Sequence, residues 1–159
     1  MITEIFSTVL IIRLVASFLC SAAFGVVFKV APRHLASAGL SGLVVYFVYH
    51  LTVGFGGSFF VAAFFSTVAG AVYAEIYARL RRTPVTVMLY AAIIPIVPGG
   101  DLYYTMQHAL IGDGEGALKY FTQTMSIALG IAGGIVVSAL VFKMLFEKMA
   151  ERKKRRAGR

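Results

Sequence analysis

Two prolines, two glycines and a carboxylate fall close together in this chain: Pro95, Pro98, Gly99, Gly100 and Asp101, with Tyr103 just beyond. A proline inside a helix removes a hydrogen bond and collides with the preceding turn, so two of them followed by Gly-Gly interrupt a helix. A helix that restarts at Gly99 offers backbone N–H groups that no side chain covers, and such a terminus accepts an anionic group such as a carboxylate. A structural kink is the plainer alternative, although a kink needs only one proline. Asp101 admits three roles: capping the restarted helix, binding an ammonium, or carrying a proton if burial raises its pKa.

Two further places hold ionisable groups within otherwise apolar stretches, where charge is costly and marks function by default. Arg13 interrupts the first stretch, about 6 Å outward of its middle, and Asp101 lies at a similar offset of about 4–5 Å. Matched depth suggests a pair, or an Arg13 that binds a carboxylate; snorkelling to the outer surface is the bland alternative. Glu75 and Arg79 stand one helical turn apart, which allows a simple salt bridge. The sharper reading makes Glu75, with Arg79, an inner gate or proton relay.

The rest of the chemical inventory is thin. Seven carboxylates, three histidines and one cysteine include no nucleophile–base set, so an enzyme is not expected. His34, His50, His108 and Cys20 share no metal-ligand spacing, and no cofactor is expected. Gly112-Asp113-Gly114-Glu115-Gly116 lacks the ligand series of a calcium loop and reads as a turn. No glycine-rich loop ending in Lys-Ser/Thr is present, which excludes ATP-driven pumping by this chain.

The elements that must position these residues follow from composition. Of 159 residues, 59% are hydrophobic and only 14% charged, and the mean hydropathy is +0.84. A soluble domain carries roughly 25% charged residues. The expected fold is an all-α integral membrane protein. Five apolar segments are each long enough for a ~30 Å hydrocarbon core: Ile5 to Phe28, Ala36 to Val53, Ser58 to Ala78, Val85 to Ile111 with its Pro-x-x-Pro-Gly-Gly break, and Thr122 to Phe146. The start, Met1-Ile2-Thr3-Glu4, is acidic rather than basic and reads as an uncleaved first span.

The net charge of +8 then becomes an orientation signal. Thirteen of the fifteen Lys and Arg residues fall in or beside the 1–2 loop, the 3–4 loop and the C-terminal tail, with Lys143 counted beside the tail. Basic loops stay cytoplasmic, so the expected topology is N-outside, C-inside, with a five-helix domain over 1–146 and a basic cytoplasmic tail over 147–159. That alternation requires the broken fourth segment to cross completely. The tail lies beside a span and reads as an anchor on anionic lipid; without base-stacking aromatics, nucleic-acid binding is not expected. Small residues recur every four positions in the third segment (Ala62, Ser66, Gly70, Ala74, Ala78) and the fifth (Gly130, Gly134, Ser138). Such stripes bring helix backbones together, within this chain or against a partner.

Several of these residues carry a resemblance. Pro32-Arg33 with Ala38-Gly39 and Gly42, Ala74-Glu75 with Ala78-Arg79, Pro84 and Thr86, Pro95-x-x-Pro98-Gly99 with Tyr103, and Gly112-Asp113 appear in order over roughly residues 25 to 140. On these the chain resembles the threonine/serine exporter family, specifically its smaller membrane module, which occurs alone or fused behind a larger one. The resemblance implies export of small hydrophilic metabolites across the bacterial inner membrane: threonine or serine, or succinate and related dicarboxylates in two-component relatives. It also implies a hetero-oligomer with the larger module. Asp101 departs from the small or neutral residue expected there. A non-transporting assembly subunit is the alternative of another class.

Overall fold

The computed structural model describes residues 8–157, with the side chains of 9–148. All regular elements among the described residues are helical. They are α1 (Thr8–Val27), α2 (Leu35–Gly54), α3 (Phe59–Arg81), α4 (Val85–Ile93), α5 (Gly99–Leu110) and α6 (Gly114–Ala157), with 3-10 turns at Pro32–His34 and Ile94–Ile96. Glu4, assigned to the outer side, lies outside the described residues. Four helices are long and apolar enough to cross a membrane, and a fifth crossing is available if α4 and α5, bent by 47°, form one broken span.

The boundaries have local causes. Ser58 caps α3 by accepting a hydrogen bond from the Val61 N–H at 3.4 Å, which satisfies one of the orphan amides of the first turn. Pro95 sits at the start of the 3-10 turn, where its missing N–H costs nothing. Val97, ahead of Pro98, is extended at φ −62° and ψ 127° because the proline ring excludes the helical region for its predecessor. The helix therefore stops at Ile93 and restarts only at Gly99. The last helix begins eight residues before the expected Thr122: Asp113 accepts the Gly116 N–H on its side chain at 2.9 Å and the Ala117 N–H on its carbonyl at 3.0 Å. Its backbone continues as helix through the basic tail to Ala157.

Small residues set the packing. A Cβ at Gly39 would lie 2.7 Å from the Phe18 ring and one at Gly42 would collide with Ser21, so α1 and α2 cross at these two points. Gly70 meets Val45 of α2 and Ala92 of α4. On the other face of α3, a Cβ at Gly130 would come within 2.6 Å of the Phe60 carbonyl, and one at Gly134 within 2.8 Å of Thr67. Both small-residue stripes are thus buried inside this chain, and neither is left over for a partner. The core between them is built from Ala38, Ala71, Ala74, Met88, Leu89 and Ala91.

Helix α5 differs from all of these. None of its residues is buried. It leans on the first half of α6 through Tyr104 and His108, whose rings lie 5.2 and 5.3 Å from that of Tyr120. His108 Nδ1 also meets Asp113 Oδ2 at 2.8 Å across the turn.

Candidate functional site

At the break, the Gly99 N–H donates to the Val97 carbonyl at 2.8 Å and the Leu102 N–H to the Pro98 carbonyl at 3.1 Å. The amides of Gly100 and Asp101 find no acceptor among the described residues. Pro98, the residue preceding α5, supplies no side-chain cap. No heavy atom lies within 4 Å of where a Cβ on Gly99 or Gly100 would stand. The helix start is therefore open and electropositive, as a carboxylate-binding terminus requires.

Asp101 occupies the third helical position and does not cap α5. Its backbone carbonyl accepts the Thr105 hydroxyl at 2.8 Å, while its carboxylate makes no ion pair among the described residues and lies within electrostatic range of the Tyr49 phenol. This geometry removes only the capping hydrogen bond: the carboxylate still suits the positive end of α5 and stays open to a cation or a proton.

Arg13 and Asp101 are not paired. Arg13 instead faces a cavity of about 260 Å³ with Ser17, Cys20, Tyr46 and Pro95. The structure thus joins Arg13 to the break through Pro95 rather than through Asp101. Tyr103 is exposed and packs edge-on against Tyr104, with ring centroids 5.5 Å apart.

The second site lies at the other end of the bundle. Glu75 and Arg79 form the one-turn salt bridge, with Arg79 Nη2 2.6 Å from Glu75 Oε1 and Nε 3.1 Å from the same oxygen. The Arg79 guanidinium lies 3.1 Å over the Phe146 ring of α6, a cation–π contact that fixes the pair against the last helix. Both bonds fall on Oε1, and Oε2 has no hydrogen bond among the described residues. Glu75 lines a cavity of about 370 Å³ between α3, α4 and α6, together with Thr86, Tyr90, Ser138 and Lys143. The Ser138 hydroxyl is buried there without a hydrogen-bond partner. A buried unpaired hydroxyl costs free energy that an incoming polar group can recover.

Sequence reasoning missed Lys143, Thr86, Ser138 and Tyr49 as site residues. Ser138 was visible as a member of a small-residue stripe, and its polarity was the unused signal. Lys143 was absorbed into the charge of the tail.

Four helices apolar and long enough to cross a membrane, with a bent pair beside them, mark a multi-pass membrane protein. The family described as threonine/serine exporter, ThrE, matches residues 13–141, and the chain belongs to that family. Neither a curated protein nor a solved structure matches it. Membership makes this a membrane-embedded protein of threonine/serine exporter-type transport, acting on a small-molecule substrate.

Proposed function

We propose that the chain is the small subunit of a secondary-active exporter that carries threonine, serine or a similar amino acid out across the bacterial inner membrane by alternating access. The observation that carries this reading is the open start of α5, where two unsatisfied amides and the Asp101 carboxylate stand together. A zwitterionic amino acid needs that combination: N–H groups for its carboxylate and an acid for its ammonium. Broken helices that present half-helix termini are how many secondary transporters hold substrate.

The charge distribution supports five crossings, N-outside and C-inside. If α4 and α5 returned to the same side, the tail and the two basic loops would fall on opposite faces. The break then faces one compartment through Arg13 and Tyr46, and the Glu75–Lys143 cavity faces the other. A larger module of the same family is the expected partner, completing the transport path over the exposed face of α5. Two modules with odd numbers of spans would be inverted relative to each other, as in inverted-repeat transporters.

The test is efflux of labelled threonine, serine and succinate from cells with and without both modules. Loss of threonine or serine efflux when this chain alone is deleted supports the proposal. Succinate efflux alone points to the dicarboxylate reading. Unchanged efflux of all three overturns the proposal, and full efflux after conservative replacement of Gly99, Gly100 or Asp101 leaves only an assembly role.

A further inference from the structure

Away from both cavities, the 1–2 and 3–4 loops enclose a third, of about 220 Å³, lined by Lys29, Arg33, His34, Arg82 and Thr83 with Val30, Ala31, Pro84, Val87 and Met88. It holds three cationic side chains and no carboxylate. From this cluster we infer a binding site for a phosphate group, supplied either by a lipid headgroup or by a free phosphate in solution.

Four features build the site. Lys29 and Arg82 are the non-glycine residues with positive φ among the described residues, at 58° and 53°. Each ends a helix in the left-handed position where glycine is favoured. The Val30 N–H closes back on the Gly25 carbonyl at 2.9 Å, and the Thr83 N–H on the Ala78 carbonyl at 3.1 Å. These two endings need no side chain, yet both carry a cation that lines the same cavity. Glycine would fit the left-handed backbone better, yet both positions keep a cation, whose charge also suits a helix C-terminus and a cytoplasmic loop.

Arg33 is held in place. Its Nε donates to His34 Nε2 at 3.1 Å, and His34 Nδ1 meets the Tyr77 hydroxyl at 2.8 Å. Accepting at Nε2 places the ring proton on Nδ1, which donates to Tyr77. His34 is itself only 5% exposed. The arrangement leaves the two terminal nitrogens of Arg33 for a ligand, in the fork that suits phosphate oxygens. His34 is a positioning residue. The Thr83 hydroxyl, finally, is buried at this cavity without a hydrogen-bond partner and supplies a neutral donor.

The test uses the full chain with Lys29→Gly, Arg82→Gly and Arg33→Gln. The two glycine variants suit the left-handed backbone, so they remove charge without straining the fold. In neutral detergent, calorimetric titration with inorganic phosphate should show saturable binding, weakened on the order of tenfold by each variant, as expected for loss of one charge-assisted hydrogen bond. Replacing Arg152, Lys153 and Lys154 by Gln should leave that binding unchanged. In nanodiscs of equimolar phosphatidylcholine and phosphatidylglycerol, native mass spectrometry should find a retained phosphatidylglycerol that the triple variant loses. Phosphate binding alone assigns the site to a soluble ligand, and retained lipid alone assigns it to a headgroup. Absence of both, or binding that survives all three substitutions, overturns the inference. So does equal loss of phosphate binding in the tail variant.

Discussion

Glycines in two regions of this molecule do opposite things. Gly70, Gly130 and Gly134 are squeezed between helices, where an added Cβ would strike Val45, the Phe60 carbonyl or Thr67. A Cβ on Gly99 or Gly100 would meet no described atom within 4 Å. In the first region glycine exists so that backbones can meet without a hydrophobic drive in lipid. In the second it leaves a helix start bare, which the proposed function uses for substrate. The contrast separates residues that hold the bundle together from residues that leave it unfinished.

The largest expected effect breaks the packed region. Gly130→Leu must displace the α3 backbone at Phe60 and should abolish folded, monodisperse protein, an overpacking cost of roughly 3 kcal/mol or more. Size-exclusion profile and helix content after solubilisation measure it. Gly100→Leu is the paired test: it should fold normally yet cut amino-acid efflux on the order of tenfold or more by covering amides worth about 1.5–3 kcal/mol to a charged ligand. If Gly100→Leu also fails to fold, the two regions are not distinct.

Asp101→Asn should follow, with thermal stability unchanged and efflux down about tenfold, the worth of one charge-assisted contact. A drop in apparent affinity at an unchanged pH profile assigns Asp101 to the ammonium; a flattened pH profile assigns it to the proton.

Glu75→Gln is expected to cost stability only slightly, about 0.5 kcal/mol, because the Arg79 side chain is half exposed and solvent screens the pair. Full efflux with unchanged pH dependence in this variant removes the relay role.

The smallest effect concerns the turn into α6. The Gly116 N–H and the His108 side chain hold the Asp113 carboxyl below its usual pKa. A depressed folded-state pKa stabilises the turn at pH above the ordinary carboxylate value, about 3.9, and that stabilisation disappears as pH falls through the lower folded value. The protection factor of the Gly116 amide, its exchange relative to the intrinsic rate at each pH, should therefore hold from neutrality to about pH 4 and fall below it. Asp113→Asn should exchange faster at neutral pH.

The apolar helices and the break were legible because hydropathy and proline chemistry act locally. Val85–Ile93 and Gly99–Leu110 fall where the prolines and glycines place them. The early start of α6 was hidden because Gly114 and Gly116 are poor helix formers, and the Asp113 cap outweighs them. The Arg13–Asp101 pairing failed for a geometric reason: depth along the bilayer normal carries no information about which way around the bundle a side chain points. The phosphate cavity was invisible because Lys29 and Arg82 meet only through the folding of two separate loops. In the sequence their charges served to orient the chain. Membership of the exporter family reaches over residues 13–141 and says what class of work is done, whereas only the packing shows which glycines are free to take part in it.

The last helix touches both regions. Tyr120 near its start supports α5, Gly130 and Gly134 pin its middle to α3, and Phe146 lies under Arg79. At 1.5 Å per residue, the pinned middle stands about 18 Å from Tyr120 and about 21 Å from Phe146. Held so, the rod has the geometry of a see-saw with nearly equal arms: any tilt about the glycine fulcrum that drew one end inward would swing the other outward by almost the same distance.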